Sequence, residues 1–269
     1  MAKWKKSIAG DRNVNTNIEA EIEMETTLEV RWFFPGMPPA VVQRWFELDL
    51  PGKSLTTETR TDWYANLKHD DSAWLDNFSS RILNSEEVKL ARPKGYRFAY
   101  AFGEETSPSS LVNFKLRQGN LELKLRQQSS TYKFDRPHSR TSLGEVEQWY
   151  KFDSQQLKES IPIDWLRDRK WIGVDKERTQ KLDRDVASEL TWLKVNRECW
   201  WTIAFEMSQG ERAGRDSCFR KVLDRACQSY RGPELSATNS YGYSRWLLGL
   251  TPTIVSERKL KIDSIKTRF

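Results

Sequence analysis

Apolar and polar residues alternate with period two along much of this chain. In IEAEIEMETTLEVRWFF (residues 18–34), Leu28, Val30, Trp32 and Phe34 fall on one face and Thr27, Glu29 and Arg31 on the other. That is the pattern of a strand with two unlike faces. The same alternation predicts strands at TRTDWYANL (59–67), VNFKLRQ (112–118), LELKLRQ (121–127), GEVEQWYKF (144–152), WIGVDKERTQKL (171–182), SELTWLKVN (188–196) and CWWTIAFEM (199–207). Helical spacing replaces it in three places. After Pro38 and Pro39 come Val41, Val42, Trp45 and Phe46; Trp74, Leu75, Phe78 and Ile82 share a face in 70–83; Phe219, Val222, Leu223, Ala226 and Tyr230 share one in 213–230. Residues 1–16 are polar and aperiodic and read as a loose arm, and 85–110 end in the loop-like EETSPSS.

These elements predict a mainly β chain with flanking helices (α+β). About eight antiparallel strands can close into a barrel just wide enough for side chains or one small ligand. An open sheet with helices on one face satisfies the same periodicity.

The hairpin FKLRQGNLELKLRQ (114–127) carries Lys115, Arg117, Lys124 and Arg126 on one face. A two-residue turn at Gly119-Asn120 sets Arg117 opposite Glu122 and Lys115 opposite Lys124. Like charges placed directly opposite cost up to ~1 kcal/mol. Later strands repeat such faces in both signs: Glu145 with Glu147, then Lys176 with Arg178, then Glu189 and Glu206 opposite apolar neighbours. Asp175 and Glu177 charge the other face of the Lys176 strand as well. A solvated face is the simplest reading of any one strand. Recurrent paired cations and carboxylates also suit an interior that holds a polyanion with a divalent cation. Arg and Lys neutralise phosphate oxygens, and hard carboxylates hold Mg²⁺ or Mn²⁺.

Composition narrows the classes. Over 269 residues, mean hydropathy is −0.74 and 30% of residues are charged, as in a soluble globular protein long enough to bury a core. Twelve Trp and twelve Phe supply that core, and Trp32, Trp192 and Trp201 alternate opposite the charges. The net charge of +6 favours an anionic partner without naming one. Three cysteines without CxxC spacing and two histidines argue against a zinc site. No signal-peptide pattern is present and no run approaches the ~20 apolar residues of a membrane span, so a cytoplasmic protein is expected. There is no GxxxxGK[ST] phosphate loop.

In order, the strands resemble the CYTH superfamily, the triphosphate tunnel metalloenzymes. TLEVRWF matches the first-strand Glu-x-Glu-x-Lys as Thr27-x-Glu29-x-Arg31, with Thr in place of the first Glu; RTDWY (60–64) is similar to the second-strand Asp-x-Tyr stretch. FKLRQ, LELKLR, Glu145-x-Glu147 and Lys176-x-Arg178 match the following basic and acidic strands, with Glu189 and Glu206 in the last two. The resemblance covers roughly 25–207 and implies an eight-stranded antiparallel tunnel; the barrel domain is expected over residues 17–210, with residues 211–269 as a C-terminal helix and basic tail. It implies that Arg31, Lys115, Arg117, Lys124, Arg126, Lys176 and Arg178 bind a triphosphate chain. Glu29, Glu145, Glu147, Glu189 and Glu206 would supply ligands for Mg²⁺ or Mn²⁺, and Glu29, Glu147 and Glu206 would serve hydrolysis.

The substrate class would be inorganic tripolyphosphate, thiamine triphosphate or a nucleotide. Two rival readings stay open. One is a tunnel that binds polyphosphate or a phosphorylated metabolite without catalysis, since Thr27 is a poorer metal ligand than Glu. The other is a basic, Trp-rich nucleic-acid binder with aromatic stacking platforms. The helix at 213–230, with Arg215, Arg220, Lys221 and Arg225, could dock a partner or simply pack on the barrel.

Overall fold

The computed structural model describes residues 25–65, 112–135, 141–152, 169–209, 214–250 and 257–258. The arm at 1–16, the helix expected at 70–83 and residues 251–256 and 259–269 of the C-terminal tail lie outside them. Eight long strands make the wall: β1 (Glu25–Pro35), β3 (Glu58–Ala65), β4 (Val112–Arg117), β5 (Asn120–Asp135), β6 (Thr141–Phe152), β7 (Trp171–Asp183), β8 (Val186–Val195) and β9 (Glu198–Gln209). Two short strands, β2 (Lys53–Ser54) and β10 (Glu257–Arg258), pair with β7.

Around the wall the order is β1-β9-β8-β7-β3-β4-β5-β6, and β6 returns to β1, every pair antiparallel. The eight-stranded barrel is therefore closed, which leaves its main wall without a free edge. The open-sheet alternative does not occur. No helix among the described residues is long and apolar enough to cross a membrane.

Two-residue hairpins fix three of the junctions. Arg184 and Asn196, at φ 58° and 53°, turn β7 into β8 and β8 into β9. Between β4 and β5 the turn is Gln118-Gly119, with φ 50° and 86°, rather than Gly119-Asn120. A type I′ hairpin turn needs positive φ at both central residues, and glycine suits the second. Moving the turn by one residue changes the partners. Lys115 faces Glu122 and Asn113 faces Lys124, so the expected Lys115–Lys124 pair does not form.

One apolar core sits outside the wall. Leu28, Val30, Trp32 and Phe34 of β1 join Trp201, Ile203, Phe205 and Met207 of β9. They pack under α1 (Ala40–Arg44, continued by a π-helical turn, Trp45–Asp49) and α2 (Arg215–Ser229). α2 presents Phe219, Val222, Leu223, Ala226 and Cys227 at helical spacing and buries all of them. Each large apolar side chain so buried contributes roughly 1.5–3 kcal/mol. Arg220 of α2 lies over the Tyr132 ring and Arg225 pairs with Asp183, so this helix packs on the barrel.

Period two then leaves the opposite face of each strand for the interior. On β7, Lys176 is buried while its neighbours Asp175 and Glu177 are exposed, which resolves the doubly charged strand.

One end of the barrel is closed from the C-terminal side. Ser240 bridges to Trp32, and the Tyr241 amide donates to the Arg31 carbonyl, where β6 no longer pairs with β1. α3 (Tyr243–Gly249) then places Tyr243, Trp246 and Leu247 against Phe33, Ile172, Val174, Leu193 and Val195. Gly242 makes this approach feasible, because a Cβ there would lie 2.9 Å from a Glu147 oxygen and 3.0 Å from Trp149.

Candidate anion-binding site inside the barrel

The inner faces of the strands converge on one cavity of about 50 Å³. Arg31 of β1, Arg60 of β3, Lys115 and Arg117 of β4, Lys124 of β5, and Lys176 and Arg178 of β7 line it. Glu29, Glu122, Glu189, Glu206 and Tyr243 share the lining. The interior divides into two sectors of opposite character.

In the sector of β3, β4 and β7, Asp62 is fully buried at the centre of a cation cluster. Arg60 Nε lies 2.9 Å and Lys176 Nζ 3.0 Å from its carboxylate, with Arg117 Nε at 3.5 Å. Lys115 reaches Glu122 at 2.7 Å, and Glu58 pairs with Arg60 and Arg178. Cations outnumber carboxylates here, and the lysines register it. Burial, reinforced by Arg117, pulls Lys115 down to about 7. Burial with the Arg31 and Arg60 charges pulls Lys176 down to about 7 despite Asp62. Asp62 itself, although desolvated, is held far below the usual carboxylate range by Lys176, Lys115, Arg117 and Arg60. Lys176 also donates to Tyr64 Oη at 2.5 Å and lies 3.7 Å from the Tyr243 ring centroid, so α3 supplies a π face to this cation.

The sector of β9, β1 and β6 is its counterpart in the opposite sign. Glu29 is in register with Glu206 on one side and Glu147 on the other, giving a row of carboxylates across three adjacent strands. Lys124 Nζ, from β5, lies 3.2 Å from Glu29 and 3.0 Å from Glu206. Arg126 holds Glu147 at 2.8 Å, while Trp149 Nε1 donates to its other oxygen at 3.2 Å. Although burial opposes ionisation, Lys124 and Arg31 hold Glu29 at about 2. Burial outweighs Arg126 at Glu147, whose carboxyl is pushed up to about 7. Burial opposes Lys124 too, but Glu206 and Glu29 carry it well above the usual lysine range.

Arg31 joins the sectors. It donates to Glu29 at 2.8 Å, to Glu189 at 3.0 Å and to Thr202 at 3.1 Å. Glu189 in turn accepts from Arg178 at 2.9 Å and Gln180 at 2.7 Å.

Most of the residues expected at the site therefore meet. Glu29, Arg31, Lys115, Arg117, Lys124, Lys176, Arg178, Glu189 and Glu206 line the cavity, and Arg126 pairs with Glu147 beside it. Glu145 does not join them: its carboxylate lies 3.5 Å from Arg245 near the closed end.

The expected metal set does not fit Mg²⁺ or Mn²⁺ as arranged. Both oxygens of Glu29 are bonded to cationic side chains, Glu147 and Glu189 are likewise engaged, and Thr27 offers a lone buried hydroxyl without a partner. Among the described residues, no group of three or more His, Cys, Asp or Glu side chains is placed to hold a metal ion.

Sequence reasoning did not assign Arg60, Asp62, Glu122 and Tyr243 to the site. The first two were detectable, because Glu58, Arg60, Asp62 and Tyr64 alternate on one face of β3. Glu122 follows once the turn is placed correctly. Tyr243 carries no such signal, since its position depends on how the C-terminal segment returns to β1.

No protein-family model matches the chain. No curated protein matches it either. Among solved structures, one similar chain is a conserved hypothetical protein from Pyrococcus furiosus, 10% identical. The match covers 89% of this chain and 99% of that one with a TM-score of 0.33, a likeness too distant to carry an argument.

Proposed function

We propose that the barrel interior binds a linear triphosphate-type polyanion, with its phosphate oxygens held by the β3–β4–β7 sector. One observation carries this reading: Arg60, Lys115, Arg117, Lys176 and Arg178 converge on a single cavity in which cations outnumber the carboxylates around them. Burial already disfavours the charged forms of Lys115 and Lys176, so incoming phosphate would supply a counter-charge that the sector's own carboxylates do not. Arginine forks and ammonium groups are the side chains suited to phosphate oxygens. The reading agrees with the resemblance of the strand order to the triphosphate tunnel proteins. Metal-dependent hydrolysis is not part of it, because the carboxylates required are bonded to Arg31, Lys124 and Arg126.

Burial of the aromatic residues supports this reading over nucleic-acid stacking. Trp32, Trp45, Trp149, Trp171, Trp201 and Trp246 are all buried.

Equilibrium titration with tripolyphosphate in the presence of EDTA tests the proposal. The expected result is saturable one-to-one binding, weakened about 10–100-fold by Lys176→Met, the effect of losing a charged hydrogen bond. Lys194→Met, on the exposed outer face of β8, should leave it unchanged. Absence of saturable binding, or equal loss in both variants, would overturn it.

A further inference from the structure

The row Glu206–Glu29–Glu147 poses a separate question. Carboxylates opposite one another on adjacent strands repel, and like charges in register are destabilising. Three in register across β9, β1 and β6 need a compensating cation, and the chain supplies its own. Lys124 is the inner-face residue of β5 that reaches past β6 to β1 and β9, and its ammonium bridges Glu29 Oε2 and Glu206 Oε1. Arg126, next on the same face, takes Glu147. Thr27 Oγ1, one inner-face position from Glu29, is almost fully buried and has no hydrogen-bond partner. Hard oxygen donors of this kind are what Mg²⁺ and Mn²⁺ select, and the number of charged ligands sets the affinity.

We propose that Lys124 is a resident cation that fills a latent divalent-metal site formed by Glu29, Glu206 and Thr27, so that the intact barrel works with an ammonium in place of a metal. The consequence is specific. A metal ion and the Lys124 ammonium compete for the same oxygens, and the tethered group wins because its effective concentration is fixed by the strand. Removing the ammonium while retaining a polar side chain should open the site.

This inference is independent of the anion-binding reading, and its test contains no phosphate. Failure here leaves tripolyphosphate binding standing, and failure of tripolyphosphate to bind leaves this inference standing. The probe is Mn²⁺ alone, followed by electron paramagnetic resonance, with wild type, Lys124→Gln, Lys124→Arg and the double variant Lys124→Gln/Glu29→Gln.

Wild type and Lys124→Arg should take up Mn²⁺ only weakly. Lys124→Gln should gain one site about tenfold or more tighter, and adding Glu29→Gln should abolish it. A stoichiometric Mn²⁺ site in wild type that Lys124→Gln does not strengthen would overturn the proposal, as would a gained site that survives Glu29→Gln. Circular dichroism reports whether each variant folds. Should Lys124→Gln fail to fold, Lys124→Ser carries the same test: one gained Mn²⁺ site supports the proposal, and a folded variant of either kind that gains none contradicts it.

Discussion

The β3–β4–β7 and β9–β1–β6 sectors use the same side-chain chemistry with the balance reversed. Around Asp62, cations are in excess, and burial drives Lys115 and Lys176 down to about 7. Around Glu29, carboxylates are in register, and Lys124 is driven well above its usual range in spite of burial. Two kinds of buried lysine thus occur within one barrel. Those of the first sector lack sufficient counter-charge, whereas that of the second has two carboxylates. A buried charge is tolerated when it is paired, and removing one partner costs more than the pair itself contributes. The first sector is therefore where an added anion gains most, and in the second Lys124 already has its counter-charge.

The largest expected effect is at the centre of the cation-rich sector. Asp62→Ala leaves Lys176 and Arg60 buried without their shared carboxylate and should cost about 3–5 kcal/mol in urea denaturation. Glu206→Gln, in the other sector and more exposed, should cost about 1 kcal/mol or less. Equal losses would erase the distinction between the sectors.

A second comparison sets lysine against lysine. Lys124→Met leaves Glu29 Oε2 and Glu206 Oε1 without their shared ammonium and should destabilise by about 3 kcal/mol. Lys115→Met removes a cation that burial and Arg117 already disfavour and leaves Glu122 with Arg117 at 3.5 Å, so stability should change by no more than about 1 kcal/mol. The reverse ranking would mean that the charge surplus has been assigned to the wrong sector.

Proton linkage gives a smaller, sign-specific effect. Lys115 and Lys176 sit at about 7 in the fold against 10.5 as free side chains, so between these values the unfolded chain binds more protons. Their contribution to stability therefore rises with pH above 7 and is lost as pH falls through 7. Glu147, raised from 4.5 to about 7, gives the opposite slope below neutrality, stabilising at low pH and losing that contribution as pH rises through 7. Urea midpoints measured from pH 7 to 9.5 should climb in wild type and flatten in Lys115→Met/Lys176→Met. An unchanged slope would contradict the neutral lysines.

Much of this barrel was legible in the strand pattern, and for one reason. Period two assigns faces without reference to any other strand, so the inner positions of β1, β4, β5, β6, β7, β8 and β9 could be read one strand at a time. What depends on pairing could not. Lys115 meets Glu122 rather than Lys124 because the turn is centred one residue earlier, a choice made by backbone dihedrals at Gln118 and Gly119. Glu145 and Glu147 share a strand face, yet only Glu147 joins the carboxylate row, because β6 leaves β1 beyond Val146 and Ser240 takes its place. Tyr243 closes over Lys176 from 67 positions further along the chain, and nothing local to either residue announces that contact.

The proposed role of the β3–β4–β7 sector is to accept a phosphate chain as the counter-charge that its lysines lack. Calorimetric titration of tripolyphosphate at pH 8, repeated in buffers of different ionisation enthalpy, measures the protons taken up on binding. Saturable binding is expected, accompanied by net proton uptake by the protein, with that uptake lost in Lys115→Met/Lys176→Met. Binding without proton uptake, or uptake that persists in the double variant, would contradict it.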